Sequence, residues 1–549
     1  MARIRSSRRA RPTHLLAGLT LATSLVIPAL QTPAAVAASP QASPATQGRG
    51  DFNGDGFADL AVSIPLATVT FPSQGAVAVI YGSANGLDPK AKPSQFLTEI
   101  SPNGPQQTAA WGLSLTVGDF NGDGYGDLAV GANGSNIGST ADNGGSVTVF
   151  SGSKAGLSPK PTAYITELMP APGSQFGFFL AAADFNGDRR DDLAVNALNK
   201  TVGTLTGTGA VFMYRGGAAT PSGLNPNGPI QLDESSPHVP GTARPGDQFG
   251  AAMAAGDMNG DGRADLAVGV PGRMVGGKAE SGTVFVFNGC AAGGSCNGLV
   301  STDGQDFKLN ELSGRTTQTG ALFGLSLAIG DFGRNGAQDL AIGIPGYKVN
   351  GLAGAGAVGI LYSSGSAGLS VNDYTFLVEG AAGLPGAPGA NDNFGDSLAA
   401  GNLGKSSQAD LAIGTPFKTV TVAGAALGSA GQVHVVYGSE TGLTTAGSQL
   451  FTQASAGIPG DVTAAGGFGK TLIIAPFAGG QIEQLAVASR DTVDGQVHAG
   501  AVTILPGGTA GIAASPKAQY LTATTAKIGH PAAAEELFGG AFGQPGLAG

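Results

Sequence analysis

Cysteine, tryptophan, histidine and charge are all scarce in this chain of 549 residues. Charged side chains make up only 12% of it, about half the usual share. The two cysteines, Cys290 and Cys296 in "NGCAAGGSCNG", have no histidine beside them and would make a poor zinc site. They read instead as one disulfide across a short glycine-rich loop. Past the first 37 residues there are four histidines, His238, His434, His498 and His530. None stands beside a Cys, Ser or carboxylate in a catalytic pattern, and neither H-E-x-x-H nor G-x-S-x-G occurs. No enzyme is therefore expected, and His434 and His498 are placed in outer strands. Beyond residue 38 no apolar run is long enough to span a membrane, and no stretch has a helical period.

The N-terminus is the one segment of different character. "MARIRSSRRARPTH" carries five Arg and no acid, an apolar run follows, and "AAVAAS" supplies small residues. Residues 1–37 read as a secretory signal peptide, and 38–47 as an Ala/Pro/Ser-rich linker. Without the signal, 23 basic residues face 38 acidic ones, a net charge of −15. That balance argues against nucleic acid and anionic membrane as partners and suits a protein that binds cations.

What is abundant is glycine, 93 residues, and a repeat. "WGLSLTVGDFNGDGYGDLAVGA" from Trp111, "FGFFLAAADFNGDRRDDLAVNA" from Phe176 and "FGAAMAAGDMNGDGRADLAVGVPG" from Phe249 align without gaps. "FGLSLAIGDFGRNGAQDLAIGIPG" from Phe323 follows, then weaker copies from Phe394 and Phe468. The loop-opening positions Asp51, Asp119, Asp184, Asp257, Asp331, Asn402 and Pro476 are 65–74 residues apart. Within each unit the period is two, and short apolar runs such as "SLTVGD" and "DLAVGA" are bounded by Gly and Asp, which reads as strand, four to a unit. The fourth runs include "FLTEI", "YITEL", "FKLNEL" and "FLVEG". Seven units of four strands make an all-β, seven-bladed β-propeller over residues 48–549. The first unit lacks its opening strand, while Phe538-Gly539 near the C-terminus has no loop after it. The C-terminal strand should therefore complete blade one and close the ring, removing two exposed sheet edges.

The loop D-x-N-x-D-G-x-x-D sets oxygen donors at alternate positions, as a hard divalent cation requires. Four loops are complete: Asp51, Asn53, Asp55 and Asp59; Asp119, Asn121, Asp123 and Asp127; Asp184, Asn186, Asp188 and Asp192; Asp257, Asn259, Asp261 and Asp265. Phe57, Tyr125, Arg190 and Arg263 would add backbone carbonyls. The twelfth position is Val62, Val130, Val195 or Val268, so these are hairpin loops rather than EF-hands. About four Ca²⁺ ions are expected, Ca²⁺ being favoured over Mg²⁺ because the latter demands stricter geometry. Arg189 replaces Gly at position six of the third loop, at a cost of ~1–2 kcal/mol for a left-handed residue, so that site should be weaker or bent. A fifth site at Asp331, Asn335 and Asp339 is doubtful, and the last two loops have lost the set. Turn chemistry alone could explain one such loop, but four with the same positions filled point to metal. Asp51 also ends Arg49-Gly50-Asp51, a tripeptide adhesion receptors recognise; its alignment with Asp119, Asp184 and Asp257 assigns it to the cation.

The pattern "FGxxLAxGDxNGDGxxDLAVGxP" resembles the FG-GAP repeat of integrin α-chain propellers and their bacterial relatives. The resemblance implies seven blades, Ca²⁺ in hairpin loops on one face and ligands on the other. The aromatic-Gly pairs carry over to Trp111-Gly112, Phe176-Gly177, Phe249-Gly250, Phe323-Gly324, Phe394-Gly395 and Phe468-Gly469. Here the acidic loops lie in blades one to four, whereas integrins have theirs in later blades, and the integrin stalk and membrane span are missing.

A secreted, monomeric, calcium-binding adhesion module is the expected function. Its ligand, a protein or cell-surface component, would meet the long connections opposite the cation loops. A glycan ligand is disfavoured because Trp111, Tyr81, Tyr214, Tyr362 and Tyr437 occupy repeat positions that read as core. The alternatives are a calcium-dependent polysaccharide-active enzyme, a lectin or a cell-envelope scaffold.

Overall fold

The computed structural model describes residues 50–549 apart from 91, 103, 138–142, 218–220, 227, 238, 292–297, 515–517, 543 and 546–549. The signal peptide and linker lie outside the described residues, as do Cys296, and with it the expected disulfide, and His238.

The period-two runs fold as antiparallel sheets of sequential strands. Blade two is Ser114–Gly118, Asp127–Ala132, Ser146–Phe150 and Ala163–Ile165. Blade three is Phe176–Ala183, Asp192–Ala197, Ala210–Tyr214 and Ile230–Leu232. Blade four is Ala252–Gly256, Asp265–Val270, Thr283–Gly289 and Leu299–Phe307. Blade five is Leu327–Gly330, Asp339–Ile344, Ala357–Ser363 and Leu369–Leu377. Blade six is Ser397–Gly401, Asp410–Thr415, Gln432–Tyr437 and Thr444–Phe451. Blade seven is Leu472–Ala475, Gln484–Ser489, Ala501–Pro506 and Gln519–Leu521. Two single-turn 3₁₀ segments are the only helix among the described residues. One of them, Leu309–Glu311, takes up half of "FKLNEL", where a strand was expected; the strand before it stops at Phe307. His498 likewise lies in a turn before the strand that starts at Ala501, whereas His434 is in a strand as expected.

Blade one contributes Leu60–Ile64, Ala76–Ile80 and Gln95–Thr98. Its inner place is filled by the C-terminal segment. Gly539 N–H donates to Ser63 O and Ser63 N–H to Ala541 O, both at 2.9 Å, and Val62 bridges Phe542 antiparallel. Gly539 thus does for blade one what Gly112 does for blade two, where Gly112 N–H reaches Gly131 O at 2.8 Å. The closure is shorter than a full strand. Beyond Phe542 the chain leaves blade one, and Gln544–Pro545 pairs in parallel with Thr116 and Val117 of blade two.

The aromatic-Gly pair fastens neighbouring blades. Trp111, Phe176, Phe249, Phe323, Phe394, Phe468 and Phe538 are all buried between sheets. Each donates its backbone N–H to the preceding blade at 2.7–3.1 Å, Phe538 of blade one reaching Ala499 of blade seven. The glycine that follows has φ near +90°. At Gly177 a Cβ would fall 2.6 Å from Ser146 O, so no other residue fits there.

Candidate functional site

The connections between first and second strands form one face. In loop one, Asp51 accepts the N–H groups of Gly54 and Asp55 on Oδ1 (2.6 and 3.2 Å) and of Gly56 on Oδ2 (2.7 Å). Asp119, Asp184 and Asp257 wind their loops with the same three bonds. Position five, Asp55, Asp123, Asp188 or Asp261, is exposed and accepts the N–H of Phe57, Tyr125, Arg190 or Arg263. Asn53, Asn186 and Asn259 donate their amides to the closing aspartates, and Asn121 Oδ1 accepts Asp123 N–H. With Asp51 only 5% exposed and bonded inward, it is unavailable as the end of an adhesion tripeptide.

The closing aspartate does something the sequence pattern hides. Asp59 accepts Phe52 N–H and Gly82 N–H, both at 2.8 Å, tying the loop to the end of the third strand. Asp127, Asp192 and Asp265 repeat this. So do Asp339 and Asp410 in blades five and six, where the donor set is incomplete. Their burial therefore belongs to the fold as well as to any cation. Burial pushes Asp59 and Asp127 up to about 8 and Asp265 to about 7, and neighbouring loop carboxylates add to the rise. Asp192 is raised well above its ordinary value for the same reasons.

Also missed at the level of sequence is an apolar residue at loop position two. Phe52, Phe120, Phe185, Met258, Phe332, Leu403 and Phe477 are all buried. The signal was present in every copy but reads as ordinary strand.

The loops touch one another in a ring. The residue at position eight donates its N–H to the position-one carbonyl of the preceding blade, at 2.7–3.3 Å, in all seven blades. These pairs are Gly126 to Asp51, Asp191 to Asp119, Ala264 to Asp184, Gln338 to Asp257, Ala409 to Asp331, Glu483 to Asn402 and Ala58 to Pro476. Position-seven side chains cover the position-four glycine of the preceding loop. Tyr125 lies over Gly54, Arg190 over Gly122, Arg263 over Gly187 and Phe57 over Gly479.

Individual loops then differ. Arg189 takes φ +69° and gives Asp184 the bond that glycine gives elsewhere, at 2.7 Å; the third loop is strained but not bent. In the fourth, Arg263 pairs with Asp261 at 2.6 Å. In the fifth, Asp331 and Asp339 keep their places, but the Asn335 amide turns to Ser363 O at 2.6 Å. Arg334 stacks on Tyr362 there and pairs with Asp373, and in the sixth Lys405 lies 3.7 Å over Tyr437.

The donor set of loops one to four, carboxylate and amide oxygens with a backbone carbonyl, suits a hard cation. Among the described residues no three Asp, Glu, His or Cys side chains converge as a ready cage. The exposed position-five carboxylate is the one with freedom to swing.

On the opposite face the connections between second and third strands meet those leaving the fourth. Glu167–Lys200, Glu234–Arg273 and Glu379–Lys418 join adjacent blades as buried ion pairs. Glu99 has Ser135 at the equivalent place, and burial pushes it up to about 7. Trp111 is buried, with its indole N–H on Thr148 Oγ1 at 2.8 Å. Tyr81, Tyr214, Tyr362 and Tyr437 are buried as expected. Three of them accept a backbone N–H from the next blade, at Leu157, Leu443 and Ile512. His434 packs edge-on to Phe394 with Nε2 2.8 Å from Pro385 O, and burial lowers it to about 4.

Repeated aromatic-Gly fasteners, acidic first-to-second-strand loops and a ring of seven four-stranded blades define a class of protein, the FG-GAP-repeat propeller. The FG-GAP repeat model matches residues 111–150, 176–213 and 249–287, and an FG-GAP-like repeat model matches 51–130. The chain is an integrin α-like FG-GAP propeller. It is 29% identical to integrin alpha-5 of Xenopus laevis over 286 residues, 48% of this chain and 23% of the relative. With human integrin alpha-IIb it shares 30% over 46% of this chain and 22% of the relative. With bovine phosphatidylinositol-glycan-specific phospholipase D it shares 35% over 32% and 20%. The chain thus spans under a quarter of the length of these relatives. Among solved structures, a Bacillus licheniformis rhamnogalacturonan lyase aligns over 75% of this chain and 69% of its own, at 12% identity and a TM-score of 0.30, too slight a likeness to bear on function. No helix of the described residues is long and apolar enough to cross a membrane.

Proposed function

We propose that the chain is a secreted, calcium-binding propeller that works as an adhesion or binding module, with its protein partner on the face opposite the acidic loops. The observation that carries the binding face is where large apolar side chains are exposed. Val69, Phe71, Ile100, Leu168, Met169, Met274 and Val497 are the ones among the described residues, and every one sits in a second-to-third or fourth-to-first connection. Exposed apolar clusters on a rigid frame are where partners dock. The relatives named integrins support a protein ligand.

For the metal, Asp51, Asn53, Asp55, Asp59 and the Phe57 carbonyl would hold Ca²⁺ in loop one. Their counterparts would do so in loops two to four, with Asp331, Asn335 and Asp339 the least suited. A bound cation offsets the repulsion of three carboxylates and keeps the buried one ionised. This chain's own part is to hold those oxygens on one wound loop and to pass the loop's rigidity round the ring of inter-blade bonds.

The test is solid-phase binding to immobilised extracellular proteins and glycans, with and without Ca²⁺. Binding to protein that weakens in Leu168→Ser/Met169→Ser supports the reading. Glycan binding, or protein binding indifferent to that face, sinks it.

A further inference from the structure

The ion pairs that join adjacent blades share a plan but not a chemistry. Each takes a Glu from the end of one fourth strand and a base from the end of the next blade's second strand. The residue two positions before that blade's repeat aromatic completes the set. In blade three these are Glu167, Lys200 and Ser174, and in blade four Glu234, Arg273 and Asp247. In blade six they are Glu379, Lys418 and Asp392. Of the three sets, only this last holds a primary amine between two carboxylates.

Lys418 Nζ donates to Glu379 Oε2 at 2.9 Å, to Asp392 Oδ2 at 2.8 Å and to Ala387 O. The side chains of Lys418, Glu379 and Asp392 are 14%, 0% and 8% exposed. Both acids are held from behind. The Gln432 amide donates to Glu379 Oε1 at 2.8 Å, and Gly389 N–H donates to Asp392 Oδ2 at 2.5 Å. Lys418 is anchored through its backbone, its N–H on Thr415 O at 3.2 Å and its carbonyl accepting Gly431 N–H at 3.0 Å. Two acids and one base leave a negative charge in excess, and burial raises Glu379 above its ordinary value, with Asp392 adding to the rise. Lys308 also meets two carboxylates, Asp306 and Glu311, but those three side chains are 24–35% exposed and water solvates their charges.

We infer that Lys418 and Asp392 condense to an intramolecular isopeptide bond, with Glu379 as the proton carrier. Glu379 takes a proton from the Lys418 ammonium and passes it to an Asp392 oxygen. The freed amine lone pair attacks Asp392 Cγ, a second proton follows the first to that oxygen, and the C–O bond breaks with its electron pair on the departing water. One C–N bond has formed, one C–O bond has broken, and Glu379 ends as it began. Nothing is oxidised or reduced, and no co-reactant enters. Free amines and carboxylates condense slowly in water, but groups held in contact react as though at about 10⁵–10⁸ M. Condensation also removes two buried charges that are costly to keep, and the amide retains one N–H for Glu379 to accept. The step is closed to Arg273, whose guanidinium stays protonated, and to blade three, where Ser174 offers no carboxyl carbon. The bond would close a span of 26 residues, tying the connection that enters blade six to the one that leaves its second strand. It depends on neither the cation nor the binding partner proposed above.

The intact mass of the whole chain, measured after denaturation, tests this. The parent should be lighter than its sequence by one water, once any removal of the N-terminal segment is allowed for. Trypsin should leave a branched species joining residues 349–405, which contain Asp392, to residues 406–470, uncut at Lys418. Fragmentation should place the bond on Asp392. Lys418→Arg keeps the positive charge but removes the nucleophile, and should restore the full mass. Glu379→Gln should slow formation about a hundredfold or more, read as the cross-linked share against time after synthesis. A parent of full sequence mass that trypsin cuts at Lys418 overturns the inference, whatever the variants do, and leaves a buried ion cluster. A bond mapped to Glu379, or one that forms at the parent's rate in Glu379→Gln, overturns the roles assigned.

Discussion

At the scale of single residues, two side chains carry the sharpest expectations. Glu99 is buried against Ser135, where the next two blades set Lys200 and Arg273 against Glu167 and Glu234. Its folded value is raised to about 7 from 4.5, chiefly by burial, so the folded state holds the proton more tightly than the unfolded one. The stability it adds is full at low pH and is lost as pH rises through that window. Glu99→Gln should therefore melt like the parent near pH 4 and be more stable above pH 7, by ~1–3 kcal/mol; equal melting at both ends would refute it. Arg189, held at φ +69°, should give ~0.5–1 kcal/mol when changed to Gly, read by denaturant midpoint. A loss instead would mean that its side chain contributes more than its backbone costs.

At the scale of the strand and its fastener, the aromatic-Gly pair sets the distance between blades. Gly177→Ala drives a Cβ to within 2.6 Å of Ser146 O at φ +83°, neither of which can relax without parting two sheets. A loss of ~2–4 kcal/mol is expected, with hydrogen exchange rising first in blades two and three. The repeat was legible because each copy shows the same aromatic, glycine and acidic loop at fixed spacing. "FKLNEL" was misread because its apolar alternation is equally that of a strand and of a single turn, and only packing of Leu309 and Leu312 into the core separates them. His498 was placed in a strand for a similar reason: an apolar-polar run borders it on either side.

The whole molecule has one unusual loop. In blades two to seven the first-to-second-strand loop is a covalent hairpin. In blade one the inner place is taken by the C-terminal segment, so loop one does not link the two innermost strands of its blade covalently. What holds it to blade seven is Ala58 N–H on Pro476 O, Ser83 N–H on Phe477 O, both at 3.2 Å, and Phe57 over Gly479. The cation proposed for loop one would act where the two innermost strands of a blade lack a covalent link. With Ca²⁺ present, Asp55→Ala should raise exchange at residues 538–542 and in Leu60–Ile64, while Asp123→Ala in loop two should lower the melting temperature without opening that seam. Each variant should bind one Ca²⁺ fewer by calorimetry. Loss of binding with no seam exchange would leave the metal reading intact and sink the clasp. Chelator should lower the parent's melting temperature by several degrees, with Mg²⁺ restoring little.

Some of this protein was settled before folding. Blade number, strand period, the inner anchoring of Asp51 and the buried place of the repeat aromatics all follow from local spacing, because a strand reports its faces every second residue and a loop repeats its own hydrogen bonds. Other properties needed the ring. That loops bond round all seven blades depends on contacts between successive repeats, and that closing aspartates staple the third strand depends on contacts 23–28 residues apart within each blade. No local pattern records those contacts, since their partners lie on another strand or another blade that folding alone brings near.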